Sequence, residues 1–163
     1  MRLGVLVALG PLGPLIGCGE RTPPPPEPVA TTRGFAVYDA YAPASPAPDV
    51  ASLYFTLVKT GGAPDTLESI STARGQAMLH TVVTEKGATH MAPAGPIALG
   101  LGDTLKLRPG SYHVMIEHLS TPVVVGDTLV VELGFASGIR LAVPARVLTY
   151  TDVIHRLEAA DRR

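Results

Sequence analysis

Alternation of apolar and polar positions recurs along most of the chain. In SYHVMIEHL, residues 111–119, Val114 and Ile116 fall on one face, with Tyr112 as a further candidate. His113, Met115 and Glu117 fall on the other. The same period of two predicts strands in FAVYDAYA from Phe35, on both sides of the GG turn in VASLYFTLVKTGGAPDTLESI, and in GQAMLHTVVTEKG up to its glycine turn. DTLKLRPGSYHVMIEHL reads as a short strand, a PG turn and a longer strand. GDTLVVELGFASGIRLAVPARV reads as a terminal hairpin with Ile139, Leu141 and Val143 pointing inward. Short strands at this spacing predict an all-β fold, a Greek-key β-sandwich. A body of roughly 120 residues is large enough to bury a core without disulfide staples.

The ends break the pattern. MRLGVLVALGPLGPLIGCGE carries one positive charge at Arg2 and an apolar run to Ile16, too short and too rich in Gly and Pro for a comfortable membrane span. It closes on LIGC, Leu15 to Cys18, which resembles the lipobox of bacterial lipoproteins. That resemblance implies a signal peptide over 1–17, cleavage before Cys18, lipidation of Cys18 and an extracytoplasmic protein held to a membrane by its acyl chains. Residues 18–34 then form a tether. Its four consecutive prolines favour polyproline II, which at about 3.1 Å per residue could hold the domain some 40 Å from the membrane. The β-domain occupies 35–148. The polar tail, 149–163, is expected to be frayed or a short helix.

Composition narrows the chemistry. Net charge is −1, with no basic patch, which argues against a nucleic-acid partner. There are 17 glycines and 16 prolines and no tryptophan, as suits a turn-rich β protein. Cys18 is the sole cysteine. If it carries lipid, the folded domain has no thiol, so disulfides, thiol nucleophiles and cysteine metal ligands drop out together. No GxSxG, HExxH or P-loop pattern occurs, and the protein is not expected to be an enzyme.

What remains is a cluster of imidazoles and thioethers. Met78, His80, His90, Met91, His113, Met115 and His118 all lie within 78–118, and only His155 and the leader's Met1 lie apart. Each has an ordinary use, methionine as a core gap-filler and histidine as a surface residue. Spacing singles out four. Ten residues separate His80 from Met91, twenty-one separate Met91 from His113, and Met115 follows one residue later. This H-x10-M-x21-H-x-M pattern resembles the signature of the periplasmic copper chaperones called the PCuAC family. The likeness runs from about Val37 to Val147 and includes DTLESI, MLHTVVTEKG, LRPGSYHVMIEHL, GDTLVVEL and GIRLAVPA. It implies a cupredoxin-like sandwich, His80, Met91, His113 and Met115 as metal ligands, and Cu(I) as the ion. It also implies a copper-receiving partner, such as cytochrome c oxidase subunit II with its CuA centre or another assembly factor.

The donor types agree with that implication on their own terms. Thioether sulfur is soft and neutral and favours Cu(I), whereas Cu(II) prefers nitrogen and oxygen donors and zinc asks for Cys, His or carboxylate. His113 and Met115, two apart on a strand, share a face with Cα atoms about 6.7 Å apart. His80 is expected near the end of its strand, and Met91 in a loop or strand start that could fold over the ion. Met78 shares the face of His80 and is either an extra ligand or, preferably, a core or rim residue. His118 has the wrong parity, His90 points away from Met91, and Glu117 either orients an imidazole or simply faces solvent. Two other functions fit the same residues: copper buffering or resistance without a dedicated recipient, and a β-sandwich interaction module.

Overall fold

The computed structural model describes residues 26–45 and 47–163. The leader, Cys18 and the first prolines of the tether lie outside the described residues. Eleven strands follow in chain order: β1 (Ala30–Thr32), β2 (Phe35–Pro43), β3 (Ala51–Lys59), β4 (Asp65–Ser71), β5 (Gln76–Glu85), β6 (Ala88–Pro93), β7 (Ile97–Leu99), β8 (Thr104–Lys106), β9 (His113–Glu117), β10 (Thr128–Phe135) and β11 (Arg140–Leu148). One helix, α1 (Tyr150–Asp161), closes the described chain. The hydrogen-bonded order is β6-β5-β9-β3-β2-β11-β10-β4-β7, with β1 beside β2 and β8 beside β3. All pairs are antiparallel except β2 with β11.

The path folds into the expected Greek-key β-sandwich. Leu53, Phe55 and Leu57 from β3, Leu79 from β5, and Val114 and Ile116 from β9 share one core with Leu129, Val131 and Leu133 from β10 and Leu141 and Val143 from β11. Alternation is what allows this. The core strands send every second residue inward, and the sheets bury those faces against each other. Phe35 and Phe135 stack across the core with ring centroids 3.9 Å apart. Ile139 is half-buried against the same core just before β11 begins.

Strand β2 shows how the pattern survives an interruption. Phe35 and Val37 are buried at odd positions, Ala40 and Ala42 at even ones. The switch occurs at Asp39, whose φ is 54°, where the register between β2 and β3 slips by one residue. A one-residue bulge flips every later side chain to the other face, so both halves of β2 still feed the core. The carboxylate of Asp39 accepts two hydrogen bonds from Arg163, at 2.8 and 2.9 Å.

One boundary differs from the sequence expectation, and the tail takes the helical of its two expected forms. The sheet begins inside the segment assigned to the tether, because Ala30–Thr32 pairs with Phe35–Val37. The tail is no frayed polar end. Thr149 caps α1 by accepting from the Asp152 backbone N–H at 3.1 Å, and Val153 and Leu157, one turn apart, are buried against Tyr54, with Tyr41 and Leu148 alongside. Asp161 pins the far end, accepting from Arg108 Nε and Nη2 at 3.1 and 3.0 Å and from Lys106 Nζ at 2.9 Å. Among the described residues no helix is long and apolar enough to cross a membrane.

Candidate metal centre

Strand β5 lies between β9 and β6, and the register of those two ladders decides which side chains meet. His80 is directly opposite His113, and Met78 is directly opposite Met115. On the other side Val82 is opposite Met91 and His80 is opposite Pro93. Directly opposed residues of a sheet share a face. One surface therefore carries, row after row, Met115 with Met78, then His113 with His80, then Val82 with Met91. Leu79 and Val114, the intervening pair, point the other way into the core. The sequence-predicted set of His80, Met91, His113 and Met115 thus lies on one face.

The histidines differ from the methionines in depth. His80 is 9% exposed and His113 is 5% exposed. Their rings are nearly parallel, 23° apart, with centroids 5.9 Å apart. Met115 is half-buried, Met78 is 38% exposed and Met91 is 54% exposed. Imidazoles thus form the floor of the site, and thioethers form its rim.

The two imidazoles are also held differently. Nδ1 of His113 lies 2.9 Å from the carbonyl oxygen of Ser111. A carbonyl can only accept, so Nδ1 of the neutral ring carries the proton and Nε2 keeps the lone pair. This is the arrangement by which metal-binding histidines are oriented elsewhere. Nδ1 of His80 is buried and has no hydrogen-bond partner. Burying a polar atom without a partner is costly, so the His80 ring keeps unused bonding capacity beside His113. Among the described residues no group of three or more His, Cys, Asp or Glu side chains converges. The donors assembled here are therefore two nitrogens plus sulfur, a soft set.

Several expectations change in detail. His80 is in the middle of β5, not near its end. Met91 is on strand β6, not in a loop. The β5–β6 hairpin turns at Lys86 and Gly87, with φ of 51° and 81°, the left-handed pair that a two-residue type I′ turn requires. The sequence ends the first strand at that turn and leaves the return open between loop and strand start, because β6 is exposed along most of its length and shows no alternation. Met78 is exposed, so of the core and rim readings only the rim survives. The carbonyl of Ser111, rather than Glu117, holds the ring of His113. A backbone acceptor leaves no signal in residue type. His90 pairs with Val83, on the face opposite Met91. His118 is exposed just past β9 with φ of 54°, and His155 is on the exposed side of α1.

Comparison with known proteins agrees with this architecture. Among solved structures, "Copper-bound PCuAC domain from PmoF2" superposes with a TM-score of 0.60 at 19% identity, covering 74% of this chain and 97% of that one. "Apo PCuAC domain from PmoF1" gives 0.60 at 20% identity, covering 74% and 98%. The solution structure of CuI-DR1885 from Deinococcus radiodurans gives 0.52 at 27% identity, covering 68% and 76%. The sandwich is thus the cupredoxin-like fold of those domains. A curated relative, "Putative lipoprotein Lxx21020" of Leifsonia xyli subsp. xyli, is 36% identical over 69 residues, 42% of each chain, so the match spans less than half of that relative's length. The family model described as "Putative lipoprotein LpqE-like" matches residues 35–147, nearly the whole sandwich, and the chain belongs to that LpqE-like family.

Proposed function

We propose that this protein is a lipid-anchored, extracytoplasmic Cu(I) metallochaperone and not an enzyme, with His80, Met91, His113 and Met115 as the residues that take the ion. One observation carries the reading: two buried imidazoles face each other across β5 and β9, one with its Nδ1 proton directed to a carbonyl and the other with a buried, unpartnered nitrogen, under a rim of thioethers. Neutral nitrogen and sulfur donors leave a monovalent ion its single charge and suit Cu(I) over harder metals. The likeness to CuI-DR1885, at 27% identity, supports the same ion.

The mechanism is ligand exchange. The imidazoles hold the cargo from below while the exposed thioether of Met91 meets the solvent and the recipient first. A recipient's donors then replace the thioethers one at a time, and the imidazoles release last. No bond of the protein backbone breaks, and no electron changes hands. The recipient proposed is a copper site assembled outside the cytoplasm, with the CuA centre of cytochrome c oxidase as the first candidate. Anchoring through Cys18 would keep the site near such a membrane-bound recipient.

The test is a Cu(I) titration of the full chain under reducing conditions against a chromophoric chelator. Wild type is expected to bind one ion, with mixed nitrogen and sulfur scattering around it in X-ray absorption. His113→Ala and Met91→Ala should weaken binding. Equal affinity across these variants, or a shell of nitrogen and oxygen alone, overturns the assignment. Oxidase activity of a deletion strain separates delivery from buffering. Loss of activity only when copper is scarce supports delivery, whereas copper sensitivity with normal oxidase supports buffering.

A further inference from the structure

The ladder places one more thioether on this face than the four-residue set uses. Met78 is directly opposite Met115, two residues from His80 on β5, and 38% exposed. Met91 is on the far side of the histidine row, opposite Val82. From ordinary strand spacing and rise, the Cα atoms of Met91 and Met115 are roughly 16 Å apart, two strands across and four residues along. Those of Met78 and Met115 are about 5 Å apart, as for any directly opposed pair. Two sulfurs on one ion stand within about twice a metal–sulfur bond, on the order of 4–5 Å. In this strand geometry Met78 and Met115 can meet on one ion beside the histidines. Met91 joins them only if the exposed β5–β6 hairpin bends over the face.

We propose that Met78 is a fifth copper donor: it pairs with Met115 beside His80 and His113, and it competes with Met91 for the last coordination position. The inference rests on the Cu(I) reading above and deepens it. Two donors that reach one position from opposite flanks allow the ion to shift without ever losing a neighbour. With Met78 bound, the cargo rests at the end of the site where Met115 is half-buried. With Met91 bound, it moves toward the exposed hairpin, where a recipient meets it. Thioether exchange is neutral, so no proton has to accompany the shift.

Met78→Leu, Met91→Leu and the double variant test this in the full chain. Leucine nearly matches methionine in volume and keeps the apolar surface, and both positions are exposed, so the fold is expected to persist in circular dichroism. The readouts are Cu(I) affinity by chelator competition and the number of sulfur neighbours by X-ray absorption. Each single variant should keep one ion with two sulfur neighbours and lose no more than about tenfold in affinity, because the other methionine takes the place. The double variant should fall to one sulfur neighbour and lose about a further tenfold or more. If Met91→Leu alone already has one sulfur neighbour, or if the double variant binds as tightly as Met91→Leu, Met78 is not a donor and the four-residue set stands. If wild type binds no Cu(I), the copper reading itself fails, and the role of Met78 fails with it.

Discussion

The outer face of the β5-β9-β3-β2 strands is treated in two ways. Over β3 and β2 it carries Tyr54 and Tyr41, and α1 covers them with Val153 and Leu157. Over β5 and β9, in rows continuous with Ser52 of β3, it carries Met78, His80, His113 and Met115, with no helix above among the described residues. One half is apolar, capped and pinned by ion pairs. The other is buried only as deep as its imidazoles and keeps a polar nitrogen without a partner. The difference teaches what each half is for. Apolar surface left bare would cost stability, so a helix has been built to cover it. On the copper reading proposed above, the uncovered half leaves the ion free to exchange.

The comparison predicts a division of effects, stability on the helix side and copper on the histidine side. Leu157→Ala should have the largest effect, about 2–5 kcal/mol lost in denaturant unfolding because a fully packed side chain becomes a cavity, with Cu(I) affinity per folded molecule unchanged. His113→Ala should do the reverse, with Cu(I) affinity falling by about tenfold or more in chelator competition. Its stability without metal should change by less than the Leu157 variant's, since burying a polar imidazole is itself costly and the ring recovers only one hydrogen bond.

Asp161→Asn comes next. Hydrogen bonds from Arg108 and then Lys106 hold the Asp161 carboxyl down at about 2, below its ordinary 3.8. A depressed carboxylate stabilises the fold above its unfolded value and loses that contribution as pH falls toward the folded one. The variant should therefore be less stable than wild type by about 0.2–1 kcal/mol at neutral pH, the range for an exposed ion pair. The gap should close between pH 4 and pH 2 in thermal unfolding. Smallest of all, Met91→Leu should alter the stability of the metal-free protein by no more than about 0.5 kcal/mol, since the side chain is largely in solvent. A Met91 variant that unfolds as readily as Leu157→Ala would erase the division.

Much of this was legible from the residues, and the exceptions have physical causes. Period-two patterning identified β9 because Val114 and Ile116 are apolar and buried on one side while His113, Met115 and Glu117 alternate with them on the other. The same logic failed for β6, which has almost no buried residue to set a period. For α1 it left a frayed end and a short helix both open, since only Val153 and Leu157 are fully buried among polar neighbours and the cap at Thr149 was passed over. Spacing could nominate His80, Met91, His113 and Met115, but it could not say which of them face each other. That depends on register, and register depends on the whole sandwich. Met78 shows the limit most clearly. Its parity was readable, yet its opposition to Met115 exists only after β5 and β9 have paired.

The Ser111 carbonyl has a consequence for timing. A neutral imidazole in water interconverts between two forms by proton exchange with its surroundings, and only one of them offers a given nitrogen to an incoming ion. By engaging Nδ1, Ser111 selects that form in advance for His113. On the copper reading proposed above, an arriving ion would find that nitrogen ready, with no proton exchange needed first.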